Sequence, residues 1–592
     1  MSMTATTEGA AVRPRLRWGL PAYVVLVLVA MTLALVVPKT GYVLNISLQA
    51  TTYAIAVLGL TIVLGLCGQI NLAQAAFFGL GAYAVGIGQT EYGVNFWVCL
   101  LLGTCMAAGF GALLGASTLR LGGHYLAMVT ISFQQIVTLV LINWIPVTKG
   151  PDGVRAIPRP GFLADGSTYL AFCIFMLALL GFLVWKLRDT RLGRAMRAVR
   201  DNELAAGVAG IDVYRTKVTA FALSAVLGGI GGALFAGGFS YVSPDQFSFA
   251  ESVVFLTMVL LGGVASPIGA AIGTGLLILI PEWLRFLKSI PGLYLAIYGA
   301  AVILIVLFMP DGIWGFVRNQ FDRFKRAAGS VLGGDTLQLS GGGTGSDTVM
   351  EVRGLSKHFG GLKAVDEVDL TIRRGGVHAL IGPNGSGKTT TLNVLSGLYR
   401  ATSGTIMLNG RDVTNLPPHA RTAAGLGRTF QNIRLWRSMT ALENVMVGAE
   451  RPGNPVGGDS AALLARSRAA LAFVGLEDRA DEVVANFSYG HQRAVEIARA
   501  LAGDPALLLL DEPGAGLNSS EKVELRDLLK RISARGLTIL IIDHDMTLVS
   551  EVAQHITVLN FGRRIADGYS ADVLKHPDVI AAYLGTAPDV AA

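Results

Sequence analysis

As far as Met309 the chain returns repeatedly to runs of roughly 18 or more residues that are apolar and nearly free of charge. A helix of that length crosses the hydrocarbon core of a bilayer, and inside lipid only helices and closed barrels satisfy their own backbone groups. Beyond Val349 such runs stop and the pattern becomes that of a soluble α/β domain. With 592 residues, 52% hydrophobic and 15% charged, the chain is too apolar for an ordinary soluble protein and too long for one compact domain. The expected organisation is a polytopic all-α membrane domain over 1–326, a linker over 327–347 and an α/β domain carrying a phosphate-binding loop over 348–592.

Candidate spans fall near 19–37, 43–66, 70–89, 94–119, 123–146, 168–187, 216–242, 250–264, 267–284 and 292–309. Those at 70–89 and 250–284 are short or rich in glycine and read equally as broken or re-entrant helices, which gives about eight to ten spans. Arg13–Arg17, Arg120, the 186–217 loop and Arg318–Arg326 fall on one side of these spans. Lys39, Lys149, Arg155, Arg159, Arg285 and Lys288 fall on the other. The heavier side is expected to face the cytoplasm. This arrangement accounts for the net charge of +7 without a nucleic-acid partner. The first run, preceded by Arg13, Arg15 and Arg17, is long enough to remain as an anchor rather than be cleaved. Cys67, Cys99, Cys105 and Cys173 lie in apolar segments without metal or disulfide spacing and are expected to be small core residues.

Polar residues interrupt two spans. In "GLCGQINLAQAAFFGLGAYAVG" Gln69, Asn71 and Gln74 break the apolar pattern, and Gln134, Gln135 and Asn143 do so in 123–146. Two readings stand side by side: hydrogen-bonding glue between helices, or the lining of a solute pathway at a broken helix, with Gln69, Asn71, Gln74 and Gln135 as its candidates. No span carries an acidic residue near its middle, which argues against a carboxylate proton relay. The stretch 327–347, rich in Gly and Ser, reads as a flexible tether.

In the soluble half, "HALIGPNGSGKTTTLNVLSG" runs from a short apolar strand into a helix. Gly382, Pro383, Asn384, Gly385, Ser386, Gly387, Lys388 and Thr389, followed by Thr390, fit the phosphate-loop pattern G-x-x-x-x-G-K-[ST]. Backbone N–H groups of such a loop cradle phosphates, Lys388 is placed to reach the β- and γ-oxygens, and Thr389 to ligate Mg²⁺. Further on, "ALLLLDEP" has the continuous apolar run of a buried parallel strand, ending in Asp511 and Glu512. Asp511 is the expected Mg²⁺ partner and Glu512 the group that polarises the attacking water. ATP and Mg²⁺ are the expected cofactors.

The order of the phosphate loop, Gln431 in "RTFQNIRLW", "FSYGHQRAVEIARAL", Asp511–Glu512 and His544 in "IIDHDM" resembles an ABC-transporter ATPase across 349–585. The resemblance implies that Phe359, unless it is a core aromatic, stacks on adenine, and that Gln431 joins the metal site to the membrane domains. It further implies that His544 contacts the γ-phosphate and that Ser488, Tyr489, Gly490 and His491 close over ATP held by an opposing subunit. Asn518 is expected where the chain crosses that dimer interface. The usual Leu-Ser-Gly-Gly-Gln pattern is altered here: Tyr489 replaces the first glycine and His491 the glutamine. An imidazole still hydrogen-bonds, so the second change is expected to tune the site rather than disable it.

"SYG", "RTFQNIRLW" and the C-terminal "VIAAYLG" resemble ATPases of branched-chain amino-acid importers, and "LRLGGHYLAMVTISFQQIVTLVLINW", "VTKGPDGV" and "VLLGGVASPIGAAIGTGLLILIPE" resemble one of that system's two permeases over most of 20–315. In such permeases a short cytoplasmic helix docks on the ATPase. "NELAAGVAG" is similar, with Glu203, Ala205, Ala206 and Gly210 as the coupling residues, while Arg194, Arg197 and Arg200 recur at about helical spacing toward an acidic rim or lipid phosphates. The implied function is ATP-driven import across the cytoplasmic membrane, with the ATPase half in the cytoplasm. The implied partners are a second permease and a second ATPase, a hetero-assembly being favoured over a homodimer, together with an extracytoplasmic solute-binding protein and the bilayer itself. Urea, short amides or small organic acids remain open as alternative solutes. An exporter or a non-transporting regulatory ATPase is disfavoured by the many short spans and the complete catalytic set.

Overall fold

The computed structural model describes residues 19–36, 41–117, 123–283, 299–300, 303–304, 307–309, 312–316, 337–339, 347–451 and 459–584. Arg13, Arg15, Arg17, Lys39, Arg120, Arg285, Lys288, Arg318 and Arg326, much of the 292–309 span and most of the tether lie outside the described residues. The chain forms two compact units, Met1–Arg188 with Lys217–Lys325, and Asp189–Thr216 with Arg326–Ala592. The second unit differs from the linear division expected above, because a segment flanked by membrane helices folds with the α/β domain.

The first unit is helical. Among the described residues five helices are long and apolar enough to cross a membrane: Tyr42–Leu66, Phe96–Ser117, Tyr125–Asn143, Gly166–Leu187 and Val213–Phe239. Phe249–Gly262 and Pro267–Glu282 pass that test only as a pair bent by 119°, which is where the sequence left a re-entrant segment open. The 70–89 candidate is also a broken helix. Thr61–Leu66 widens into a π-helix, the chain leaves helical geometry, and Gln74–Thr90 then forms a 17-residue helix. An aromatic cluster centres the unit, with Tyr53 and Phe255 ring centroids 4.9 Å apart and Phe78 and Phe235 5.4 Å apart. Helices approach closely at Gly232, where a Cβ would sit 1.7 Å from the carbonyl oxygen of Phe78, so no other residue fits. Two short strands, β1 (Val154–Arg155) and β2 (Tyr241–Val242), pair antiparallel and tie together the loops that carry them. Cys67, Cys99 and Cys173 are buried as expected, whereas Cys105 lies exposed on its helix.

In the second unit, β3 (Thr348–Phe359), β4 (Leu362–Arg373), β6 (Ser403–Leu408) and β7 (Arg411–Asp412) form an antiparallel sheet in the order β4-β3-β6-β7. The central sheet runs β12-β11-β5-β10-β9-β8, made of β5 (Val377–Ile381), β8 (Leu426–Arg428), β9 (Leu507–Asp511), β10 (Thr538–Ile542), β11 (His555–Asn560) and β12 (Arg563–Tyr569). All its pairings are parallel except the β11–β12 edge. Strands covered on both faces need apolar side chains throughout, and β5, β9 and β10 are buried at every position. Each fully buried leucine of Leu507–Leu510 contributes about 1.5–3 kcal/mol over an exposed one. Part of the expected tether packs here too: Leu337 is buried and its carbonyl accepts a hydrogen bond from Arg535 at 2.6 Å. Doubly wound sheets gather ligand-binding loops at the carboxyl ends of their strands, where both the phosphate loop after β5 and Asp511–Glu512 after β9 lie.

Candidate active site and coupling segment

The loop from Gly382 to Gly387 joins β5 to the helix Lys388–Leu395. Gly382 has φ +150°, and a Cβ there would meet the carbonyl oxygen of Leu559 at 2.1 Å, so the tight turn requires glycine. Asn384, Gly385 and Thr389 are exposed, Pro383 and Thr390 partly so, and Ser386 is buried with no partner for its hydroxyl among the described residues. Lys388 is nearly buried, and its Nζ donates to the carbonyls of Gly382 (2.8 Å) and Pro383 (2.9 Å). Burial lowers its pKa, while the carboxylates of Glu512 and Asp511 pull it back up.

Asp511 is buried at the end of β9. Its Oδ2 lies 3.3 Å from Arg428 Nη2, and its Oδ1 is buried with no partner among the described residues. Burial raises the Asp511 pKa and Arg428 opposes the rise. An orphaned buried carboxylate oxygen on Asp511 and a hydroxyl on the exposed Thr389 are oxygen donors of the kind Mg²⁺ takes, so these residues fit that ion in their chemistry. Arg428 binds further: Nη2 donates to Asn393 Oδ1 at 2.7 Å and Nη1 to the carbonyl of Leu392 at 3.3 Å and to Ser396 Oγ. One guanidinium thus bridges β8, the helix after the phosphate loop and Asp511.

The next residue, Glu512, has φ +44°, a conformation that costs a non-glycine residue roughly 1–3 kcal/mol and is held here by its N–H donating to the carbonyl of Ile542 at 2.7 Å. Gln431 Nε2 donates to Glu512 Oε2 at 2.8 Å, and His544 Nδ1 lies 3.7 Å from the same oxygen. Three residues widely separated in sequence therefore meet at one carboxylate. Phe359 is 43% exposed, with Lys357 Nζ 4.9 Å above its ring, which removes the core-aromatic reading.

Ser488 caps the helix Tyr489–Ala502, accepting from the N–H of His491, and Asn518 caps Ser519–Ala534 through a reciprocal pair with Glu521. These two caps are neighbours: a Cβ on Gly490 would meet Glu521 Oε1 at 2.5 Å, and one on Gly516 would meet the Tyr489 ring at 3.0 Å. His491 Nδ1 lies 2.9 Å from Arg479 Nη1. A guanidinium only donates, so Nδ1 accepts and the ring proton sits on Nε2.

Of the four residues expected to couple, Glu203, Ala205 and Ala206 lie on Glu203–Val208, which follows the helix Arg191–Asp201, and Gly210 lies just beyond it. Ala205 and Ala206 are buried, and the Val208 carbonyl accepts from Thr422 Oγ1 at 2.7 Å. Gly210 has φ +96° and sits where a Cβ would meet Arg451 Cβ at 3.1 Å. Glu203 is exposed. Charged contacts also come from the arginines and their neighbours. Arg197 Nη2 lies 3.0 Å from Glu443 Oε1, Arg194 Nε donates to Glu450 Oε1 at 3.0 Å, and Ser438 Oγ donates to Asp201 Oδ2 at 2.8 Å. Arg434, three residues beyond Gln431, reaches Asn202 Oδ1 at 3.5 Å. Beneath the segment a cavity of about 30 Å³ is lined by Ala205, Val208, Thr422, Arg428 and Arg451. Arg428, Glu443 and Glu450 were not singled out from sequence. "RTFQ" contains the first, and the T-x-x-E capping pattern of Thr440–Glu443 marks the second.

In the membrane unit the polar interruptions are spent on backbone groups. Gln74 Nε2 donates to the carbonyls of Ala56 (2.7 Å) and Ser224 (3.2 Å), and Asn71 Nδ2 donates to Gln74 Oε1. Gln134 Oε1 accepts the N–H of Ala76 at 2.7 Å while its Nε2 donates to the Phe247 carbonyl. These are the partners a broken helix end needs inside lipid. Gln69 is partly buried and bonds the Cys67 carbonyl, whereas Gln135 and Asn143 are exposed on their helix.

A helical membrane unit joined to a phosphate-loop cassette whose groove holds a segment from between membrane helices has the build of an ABC transporter. Residues 42–307 match the family of the branched-chain amino acid transport system permease component, and residues 365–515 match the ABC transporter family. The chain is 41% identical over 254 residues to the high-affinity branched-chain amino acid transport ATP-binding protein BraF of Pseudomonas aeruginosa, covering 41% of this chain and 100% of that protein. It is 34% identical over 312 residues to the high-affinity branched-chain amino acid transport system permease protein LivM of Escherichia coli, covering 48% of this chain and 72% of that one. A nucleotide-free ATP-binding cassette of known structure is 31% identical at a TM-score of 0.36, covering 40% of this chain and 100% of that one. The chain belongs to the ABC transporters of the branched-chain amino-acid transport family, with a permease component and an ATP-binding component in one polypeptide. It is accordingly a membrane-embedded transporter whose cassette hydrolyses ATP.

Proposed function

We propose that the chain drives the uptake of branched-chain amino acids across the cytoplasmic membrane, its cassette lying in the cytoplasm. The observation that carries the mechanism is the seat of 189–216 in the cassette unit, since a segment flanked by membrane helices is held there by ion pairs from Arg194 and Arg197. The solute is supported by the likeness of both halves to components of branched-chain amino-acid transport. Assembly with a second permease and a second ATPase follows from the likeness to a single permease component, and an extracytoplasmic binding protein is taken to deliver the solute.

Within the cassette, Phe359 stacks on adenine, the loop Gly382–Thr390 wraps the phosphates, and Lys388 leaves its two carbonyls for the β- and γ-oxygens. Thr389, Gln431 and Asp511 would hold Mg²⁺, which would supply shielding of the phosphate charge. Glu512 accepts the proton of the attacking water, and His544 fixes the γ-phosphate. Ser488, Tyr489, Gly490, His491 and Asn518 face the ATP of the opposing cassette. Gln431, which bonds Glu512 on one side and lies three residues from Arg434 on the other, passes the state of the metal site to the docked segment. Glu203, Ala205, Ala206 and Gly210 carry the motion onward.

The test is reconstitution with the partner subunits and binding protein in liposomes. Leucine uptake that needs ATP, competed by isoleucine and valine but not by urea or short carboxylates, is expected. Uptake of urea or an amide in preference to leucine overturns the assignment of solute.

A further inference from the structure

Three side chains on the three strands nearest one edge of the cassette's central sheet play no part in nucleotide chemistry, yet they converge. His378 on β5 is the register partner of His555 on β11, and their ring centroids lie 4.7 Å apart. Asp567 on β12 is the register partner of Thr557, two residues beyond His555 and so on the same face. One ligand atom from each of His378, His555 and Asp567 lies within 4.8 Å of the others. His555 Nε2 is 3.2 Å from Asp567 Oδ1, close to the edge of a tetrahedron built on metal–ligand bonds of about 2.0–2.1 Å.

We propose that His378, His555 and Asp567 form a site for one transition-metal dication of the zinc class. Two imidazoles and one carboxylate suit zinc, cobalt or nickel, whereas Mg²⁺ prefers an all-oxygen set, so the site is chemically distinct from the nucleotide's metal. His378 is buried behind the other two ligands. His555 and Asp567 are 30% and 33% exposed and provide the entry path. His378 Nε2 now shares a hydrogen bond of 2.8 Å with Thr557 Oγ1, and that hydroxyl also reaches Asp567, so the hydroxyl is the neighbour that orients both ligands. Three protein ligands leave a fourth position to water. The bound ion would pin β5, four residues ahead of Gly382, to the β11–β12 edge.

The experiment uses the purified full chain, stripped with a chelator and titrated with Co²⁺ as a coloured stand-in for zinc. One equivalent should bind and give the ligand-field bands of a tetrahedral site, Zn²⁺ should displace it, and Zn²⁺ should raise the thermal midpoint further in buffer already saturated with Mg²⁺. His555→Gln and Asp567→Asn, both at partly exposed positions, should each weaken binding about tenfold or more while MgATP hydrolysis persists. Absence of the bands, or bands that survive unchanged in both variants, overturns the proposal and leaves a hydrogen-bonded network in its place.

Discussion

Arg197 lies 3.0 Å from Glu443 Oε1, and the other oxygen of that carboxylate accepts the Thr440 N–H at 3.1 Å, so one side chain both caps the helix Ala441–Ala449 and receives the coupling segment. Glutamine also serves in a capping box. Glu443→Gln should therefore keep the helix while removing the charge from the pair, which weakens docking by roughly 1 kcal/mol. The expected result is a fall in solute moved per ATP hydrolysed in proteoliposomes, with little change in the thermal midpoint. An unaltered transport ratio would remove this pair from the coupling route.

Two glycines seven and four residues beyond Glu203 behave oppositely. Gly210→Ala places a Cβ 3.1 Å from Arg451 at φ +96° and should impair uptake without lowering membrane insertion. Gly207, on a regular helix with nothing within 4 Å of a new Cβ, should accept alanine and gain about 0.5–1 kcal/mol of helix stability. Equal losses of uptake in both variants would contradict this account.

Glu512→Gln should preserve nucleotide binding and cut hydrolysis by roughly 10²–10⁴-fold, the usual worth of a positioned base. Gln431 still finds a carbonyl partner there, so the local structure survives. The check is nucleotide affinity and phosphate release measured together in an assembly with no other competent ATP site.

Arg428→Ala should destabilise the cassette by about 3–5 kcal/mol, because it strands the buried Asp511 carboxylate without its cation. Added Mg²⁺ should recover part of that loss by neutralising Asp511, while Ca²⁺-free chelating buffer should deepen it. Calorimetry with and without Mg²⁺ separates these.

The His378 pKa, lowered to about 4 by burial and by the facing His555 with Asp567 opposing, makes the fold sensitive to acid. An unfolded histidine titrates near 6.5, so between about pH 6.5 and 4 the unfolded chain binds a proton that the folded chain does not. That contribution to stability is complete above pH 6.5 and is lost progressively as pH falls to 4, by roughly 3 kcal/mol. Thermal midpoints of the cassette at pH 7 and 5 should show the drop, and His378→Asn should flatten it.

Elements that depend on near neighbours in the chain were legible from the sequence alone. The phosphate loop is contiguous, the strand before Asp511 must be apolar because both its faces are covered, and hydrocarbon thickness sets the length of each span. The break near Gln69–Asn71 was equally plain as polar residues in an apolar run. Tertiary structure alone decided what those polar groups do, because Gln74 and Gln134 reach carbonyls as far off as Ser224 and Phe247. It likewise decided which cassette residues hold the docking segment expected from "NELAAGVAG", since Glu443 and Glu450 lie more than 200 residues from the arginines they hold. Local propensity and burial act over a few residues and are written in order along the chain. Ion pairs, orphaned carboxylates and facing histidines depend on strand register and helix packing, which bring together atoms whose spacing in sequence carries no trace of the meeting.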